Sequence, residues 1–278
     1  MRKRAVSNTF KYLFLTIVTV ISVFPFFWMI ISATNTTVDI NRSSLLPGGN
    51  LMTNLHNLFT SDLGFVNSLK NSAVIALVAT FLALLISSLA GYGFETFRSK
   101  KRDALFSVLL LSIMVPFSAL MIPLFRLFSS FNNSGLNFIG LDTLSAVIIP
   151  GLSTAFLVFF FRQSTKSFPK DILEAARIDG MSEPGIFFKM YIPVMKSTFS
   201  AAAIITFMAN WNSYLWPLVA LQSPDKRTVP LILSTMGASY TPDYGMIMSG
   251  IVIATIPTAL IFFLMQKQFV QGMIGSVK

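Results

Sequence analysis

Two segments with polar side chains stand out among the long apolar runs of this chain. The first, Glu174–Pro193, reads EAARIDGMSEPGIFFKMYIP; the second, Asn210–Pro217, reads NWNSYLWP. Neither holds a catalytic constellation. The only histidine, His56, is remote from both in sequence, and the chain has no cysteine, which excludes disulfides and thiolate metal sites and leaves no plausible nucleophile–base pair. No G-x-x-x-x-G-K phosphate loop occurs, so the chain does not bind ATP in that manner. The expectation is a protein that is not an enzyme and carries no cofactor or metal. Any uphill work it does draws energy from another polypeptide.

The elements that must position these segments are apolar. Hydrophobic residues make up 54% and charged residues 12% of the 278 positions, against about 25% charged in a soluble domain. Six stretches approach or exceed the roughly 18 apolar residues that cross a bilayer as a helix. They lie near Tyr12–Ala33, Asn71–Gly91, Ala104–Leu124, Leu144–Phe161, Phe199–Leu221 and Ile247–Met265. None alternates as a barrel strand would. The expected fold is all-α: one polytopic domain over residues 1–278 with six transmembrane helices. The first stretch, after MRKR, is longer than a signal-peptide core and reads as a retained anchor. With the N-terminus inside, most of the 21 cations fall in inside segments, leaving Arg42, Lys70, Arg126, Lys226 and Arg227 outside. Inside loops are rich in Lys and Arg, so both termini and the Glu174 segment are expected in the cytoplasm. The formal charge of +10 then records topology, and no nucleic-acid partner is expected. No acidic residue falls near the middle of a stretch, where an ion-coupled carrier usually has one.

The segment from Pro169 to Lys196 reads as two short helices. Pro169 and Asp171 suit a first turn, and Gly180 suits the left-handed position just past a helix end. Ser182 can cap a second helix with Glu183 and Pro184 in its first turn, carrying Ile186, Phe187, Met190, Tyr191 and Val194 as a stripe. Pro193 should bend it towards the next span. Ala175 and Ala176 beside Glu174 allow close approach of a partner, and Glu174, Arg177 and Asp179 can pair at the edge. Periodicity alone fits a docking element and an amphipathic helix on the membrane surface equally well.

EAARIDG, followed after nine residues by MYIP, resembles the cytoplasmic EAA loop of ABC importer permeases, whose pattern is EAA, three residues, Gly, nine residues, then Ile-x-Leu-Pro. Met190 stands for the Ile and Ile192 for the Leu. Six spans, NWNSYLWP and the closing QKQFVQGMIGSVK extend the resemblance to the maltose-type sugar permeases over most of the chain. It implies a coupling loop, residues 169–196, in which Glu174, Ala175, Ala176, Asp179 and Gly180 dock on a cytoplasmic ATPase. It further implies a bacterial cytoplasmic-membrane location, a second homologous permease, two ATPase subunits and an extracytoplasmic sugar-binding protein. The expected function is ATP-driven import of an oligosaccharide or related carbohydrate by alternating access. A polyol or glycerol phosphate is the nearest alternative solute, and a secondary carrier or channel the alternative class.

Asn210 and Tyr214, and likewise Asn212 and Trp216, stand four apart, which on one helix would place them on shared faces. Amides and aromatic rings of this kind suit a sugar path; they also suit an interfacial belt with amides bonded to a neighbouring helix. Pro25, Pro116, Pro123 and Pro257 can each kink a span. The loop Leu221–Gly245 is implied by resemblance to meet the binding protein, and also reads as packed at the pore mouth. The terminal residues Gly275, Ser276, Val277 and Lys278 read as a chain end or, by resemblance, as a contact between the ATPase subunits.

Overall fold

The computed structural model describes the backbone of residues 2–275 and the side chains of residues 10–267. Ser276, Val277 and Lys278 lie outside the described residues. The elements are α1 (Arg2–Ser32), α2 (Thr37–Asn41), α3 (Leu51–Thr60), α4 (Phe65–Thr96), α5 (Lys100–Leu111), α6 (Phe117–Asn133), α7 (Leu144–Ile148), α8 (Ala155–Thr165), α9 (Lys170–Ile178), α10 (Glu183–Ile186), α11 (Ile192–Val194), α12 (Lys196–Trp211), α13 (Leu215–Ala220), α14 (Val229–Gly237) and α15 (Tyr244–Gly275). Among the described residues there is no strand, and the fold is all-α.

Three helical stretches are long and apolar enough to cross a membrane unaided: Phe10–Ser32, Phe65–Thr96 and Tyr244–Lys267. At 1.5 Å per residue, the 32 residues of α4 extend about 48 Å, beyond the roughly 30 Å of bilayer hydrocarbon. Three bent pairs bring the number of spans to as many as six: Lys100–Met114 with Phe117–Asn133 at 101°, Leu144–Gly151 with Ala155–Thr165 at 42°, and Glu183–Val194 with Lys196–Trp211 at 81°. The stretches 104–124, 144–161 and 199–221 are therefore each interrupted, whereas 71–91 and 247–265 run unbroken. Pro116 makes the sharpest break. It forces Val115 into extended backbone (φ −81°, ψ 116°) and caps α6. Pro25, Pro123 and Pro257 lie inside helices that continue past them.

By contacts the chain forms two compact units, Met1–Phe65 with Ile232–Ile256, and Val66–Leu231 with Pro257–Lys278. In the first unit Asn54 is buried and its Nδ2 donates to the carbonyls of Ala33 (2.9 Å) and Asn35 (3.0 Å). Gly245 leaves room for this knot, since a Cβ there would lie 2.6 Å from Asn54 Nδ2. The second unit carries both polar segments. Its α4 turns Ala76, Ala79 and Ala83 inward, all fully buried. At Gly91 it meets α8 so closely that a Cβ would fall 2.6 Å from the Arg162 amide nitrogen.

Candidate functional site

The first polar segment folds as a compact block. Helix α9 starts at Pro169 with Asp171 in its first turn and ends in a left-handed glycine, Gly180 (φ +75°). Two bonds close the turn: Met181 N–H donates to Ala176 O (3.0 Å) and Gly180 N–H to Arg177 O (3.1 Å). This is the Schellman arrangement, which satisfies carbonyls left open at a helix end. Ser182 occupies the cap position of α10 but its side chain makes no capping bond, contrary to the sequence expectation. Glu183 and Pro184 do lie in that helix's first turn. A π-helical turn, Phe187–Tyr191, leads into α11, and the chain bends by 81° after Val194. Pro193 lies in the first turn of α11, just before the bend at Met195 (φ −90°, ψ 18°).

Packing divides α9 into two faces. Ile172 and Leu173 pack on a cluster of Tyr92, Phe168, Phe187, Tyr191 and Met195. Ala176 is 3% exposed and belongs to this inner side. Its methyl packs in the chain's own core, so in this chain it is the one residue of the expected docking set that is not exposed. Glu174, Ala175, Asp179 and Gly180 are exposed, as the docking reading requires. Beside them stands Ile178, 86% exposed. It was passed over in the sequence, although an isoleucine four residues from Glu174 falls on the same helix face. Of the stripe expected on the second helix, Ile186, Phe187 and Tyr191 are buried, whereas Val194 is exposed.

Polar links tie the block to the helices beneath it. Arg177 pairs with Glu183 (Nε–Oε1 2.7 Å) rather than with Glu174 or Asp179. This hydrogen bond raises the guanidinium pKa above its ordinary value, against a smaller opposing effect of burial. Glu183 Oε2 accepts from the Tyr92 hydroxyl of α4 (3.3 Å), and the Tyr191 and Thr165 hydroxyls lie 2.7 Å apart. Below the block, buried Arg162 of α8 joins three helices. Its Nε lies 3.3 Å from Glu95, its Nη2 bonds Asp103, and its guanidinium sits 4.1 Å from the Phe106 ring centre. Glu95 and Asp103 precede Arg162 by 67 and 59 residues, so no local sequence signal could join them. A cleft of about 430 Å³ opens between the block and the ends of α4 and α8, lined by Glu95, Arg98, Lys166, Lys170, Glu174 and Arg177 among others.

The second polar segment departs further from expectation. Helix α12 ends at Trp211 and α13 begins at Leu215, so Asn210, Asn212, Tyr214 and Trp216 do not lie on one helix. The four-residue spacing therefore defines no shared face. Asn210 and Asn212 each donate from Nδ2 to the carbonyl four residues earlier, Thr206 and Met208, at 2.9 Å. Asn210 is half-buried, Asn212 exposed and Tyr214 half-buried. Trp216 is 4% exposed and its indole N–H donates to Ala146 O (2.8 Å) within a cluster that includes Phe128 and Leu221. In this chain Trp216 is buried within the core, unlike the other three residues expected on a substrate path. The following loop is clamped from two sides: Asp142 accepts from the Gln222 and Ser223 amides (2.9 Å each) and from the Ser223 hydroxyl, while Asn71 Nδ2 donates to the carbonyls of Asp225 (2.9 Å) and Arg227 (3.0 Å).

The arrangement is that of a helical membrane protein whose α9 block exposes Glu174, Ala175, Ile178, Asp179 and Gly180. Comparison with known proteins bears on what it serves. The family described as binding-protein-dependent transport system inner membrane component matches residues 83–275. The lactose transport system permease protein LacG of Rhizobium radiobacter is 49% identical over 279 residues, covering 99% of this chain and 98% of its own. The arabinooligosaccharides transport system permease protein AraQ of Bacillus subtilis (strain 168) is 35% identical over 271 residues, covering 96% and 94%. A solved bacterial ABC transporter involved in the import of the acidic polysaccharide alginate has a chain of the same fold, with TM-score 0.84, 20% identity, and 97% and 98% of the two chains covered.

Proposed function

The chain belongs to the family of binding-protein-dependent transport system inner membrane components, and from that membership we propose that it is one permease subunit of a bacterial ABC importer for an oligosaccharide or related carbohydrate. It is a transport subunit of the cytoplasmic membrane and not an enzyme. The observation that carries the sugar assignment is the full-length similarity to permeases of lactose and arabinooligosaccharide systems. A galactoside such as lactose is accordingly the first substrate to test.

In this reading the chain pairs with a second homologous permease, two cytoplasmic ATPase subunits and an extracytoplasmic sugar-binding protein. The block at residues 169–196 faces the cytoplasm, as the distribution of Lys and Arg supports. Glu174, Ala175, Asp179 and Gly180, joined by Ile178, form the surface that seats in the ATPase. The apolar side chain of Ile178 gains from burial there; the carboxylates give the seat its charge. Closure of the ATPase moves the block, and the aromatic packing of Tyr92, Phe187 and Tyr191, with the Tyr92–Glu183 bond, passes that movement to α4 and α8. A rigid connection suits such transmission, because packed interiors shift as units rather than yielding continuously. Asn210, Asn212 and Tyr214 are the residues proposed to meet sugar. Each amide spends one donor on its own helix, and an amide carries two donors and a carbonyl. Gly275, Ser276, Val277 and Lys278 are proposed to meet the ATPase subunits.

Uptake of labelled lactose, arabinooligosaccharide and glycerol phosphate, measured in cells with and without the chain and in the presence of an uncoupler, tests the proposal. ATP-dependent uptake of one of the two sugars, lost with the chain, is expected. Uptake of glycerol phosphate alone would overturn the sugar assignment, and uptake abolished by the uncoupler at undiminished ATP would overturn the importer class.

A further inference from the structure

A second cleft, about 350 Å³, lies between α5 and α8 and shares Arg98 and Lys166 with the cleft beside the coupling block. Its two ends differ in chemistry. Arg98, Lys166, Ser107 and Gln163 form a polar mouth, and Phe106, Leu110 and Phe159 form an apolar wall. The mouth is basic through Arg98 and Lys166: the third cation lining the cleft, Arg162, is buried and held by both Glu95 and Asp103. Asp103 also lies 3.2 Å from Arg98 Nε. Lys166 Nζ meets the neutral Gln163 Oε1 at 2.9 Å, and its ammonium has three donors.

The position of the mouth decides the solvent it meets. The apolar run of α4 ends at Thr96, α5 begins at Lys100 and α8 ends at Thr165, so the mouth lies level with the ends of membrane helices. The wall below it follows α5 and α8, and on the same stretch of α5 Leu105 and Val108 are 64% and 65% exposed, an apolar surface of the kind lipid covers. A soluble anion could use the mouth but would leave the wall bare.

We propose that this cleft binds one anionic phospholipid, its phosphate held by Arg98 and Lys166 and an acyl chain laid against Leu110 and Phe159. Such a lipid would pack beside Arg162, whose bonds to Glu95 and Asp103 brace the ends of α4 and α5 under the coupling block. Both proposed ligands are surface side chains, so they can be neutralised without disturbing the core.

The full-length chain, purified in detergent and stripped of lipid, is titrated with phosphatidylglycerol and with phosphatidylcholine, and bound lipid is counted by native mass spectrometry. One basic side chain at an anionic surface is worth about fivefold in affinity. The double variant Arg98→Gln with Lys166→Gln should therefore bind phosphatidylglycerol roughly 25-fold more weakly, with phosphatidylcholine unchanged. Lys170→Gln, in the neighbouring cleft, should leave both lipids unaffected, and a melting temperature equal to wild type shows that the double variant is folded. Equal binding of the two lipids by the wild type, or an unchanged phosphatidylglycerol affinity in the double variant, would overturn the proposal. So would complete displacement by inorganic phosphate at concentrations near that of the lipid, which would make the mouth a plain anion site. Loss of ATPase association in the double variant without any change in lipid binding would assign the mouth to protein docking instead.

Discussion

Replacing Gly180 with alanine isolates the contribution of one backbone turn to coupling. Gly180 has φ +75°, and nothing lies within 4 Å of the place a Cβ would occupy, so the substitution introduces no clash. Within this chain its cost is that of holding an L-residue in the left-handed region, about 1–2 kcal/mol. The turn sets the direction of α9 relative to α10 through the Met181–Ala176 and Gly180–Arg177 bonds. If only the left-handed turn presents Glu174, Ala175 and Ile178 correctly, the docking-competent fraction falls by up to that amount, or roughly 5- to 30-fold. Asparagine tolerates the left-handed region better, so Gly180→Asn should recover most of the loss. The assay is titration of the cognate ATPase onto detergent-solubilised variants, beside ATP-driven uptake and the amount of chain inserted in the membrane. Weakened association and uptake at normal insertion are expected for Gly180→Ala. A variant that melts earlier yet binds the ATPase with wild-type affinity would refute the reasoning, because the surrounding packing would then be enforcing the turn. Equal loss in the asparagine and alanine variants would refute it too.

Three further outcomes follow from the same geometry. Ala176→Leu should destabilise the block by about 1–3 kcal/mol through overpacking, visible as a lower melting temperature, whereas Ala175→Leu on the exposed face should leave melting unchanged and impair only ATPase association. Trp216→Phe removes the donor to Ala146 O and should cost about 1 kcal/mol of stability while sugar preference, measured by competition uptake, stays as in the wild type. Burial pushes the Asp142 carboxyl up, but the Ser223 hydroxyl and amide, the Gln222 amide and nearby Lys226 outweigh it and hold it below the ordinary carboxylate range. A depressed folded pKa contributes stability that is present above the unfolded value and lost as pH falls through the folded one. Melting of the wild type should therefore fall more steeply than that of Asp142→Asn as the buffer is taken from neutral to below the usual aspartate range, and identical pH profiles would count against the clamp.

The helical class was legible because hydropathy in a membrane chain is nearly sufficient: every backbone group must be satisfied internally, so long apolar runs become helices. The coupling block was legible for a local reason. Pro169, Asp171 and Gly180 report the two ends of α9 through capping chemistry that depends on neighbours within a turn. The burial of Ala176 needed helix phase and not residue size to be read: Ile172, Leu173 and Ala176 mark the inner face of α9, and Ala175 the exposed one. The break between α12 and α13 was missed although Pro217 announced it. As the third residue of α13 it stands in a first turn, where a missing N–H leaves no bond unmade. The Arg162 junction could not be read at all, since its carboxylates come from α4 and α5 and meet only after three helices have packed.

The absence of cysteine from the chain allows one measurement to address the coupling surface directly. Ala175→Cys places a single thiol on the exposed face of α9, and a membrane-impermeant maleimide reports which side of the bilayer that face meets and whether a partner covers it. Labelling is expected in inside-out vesicles and not in right-side-out vesicles, and it should be blocked when the cognate ATPase is added back. Labelling only from the outside, or labelling from the inside that the bound ATPase leaves undiminished, would contradict the account.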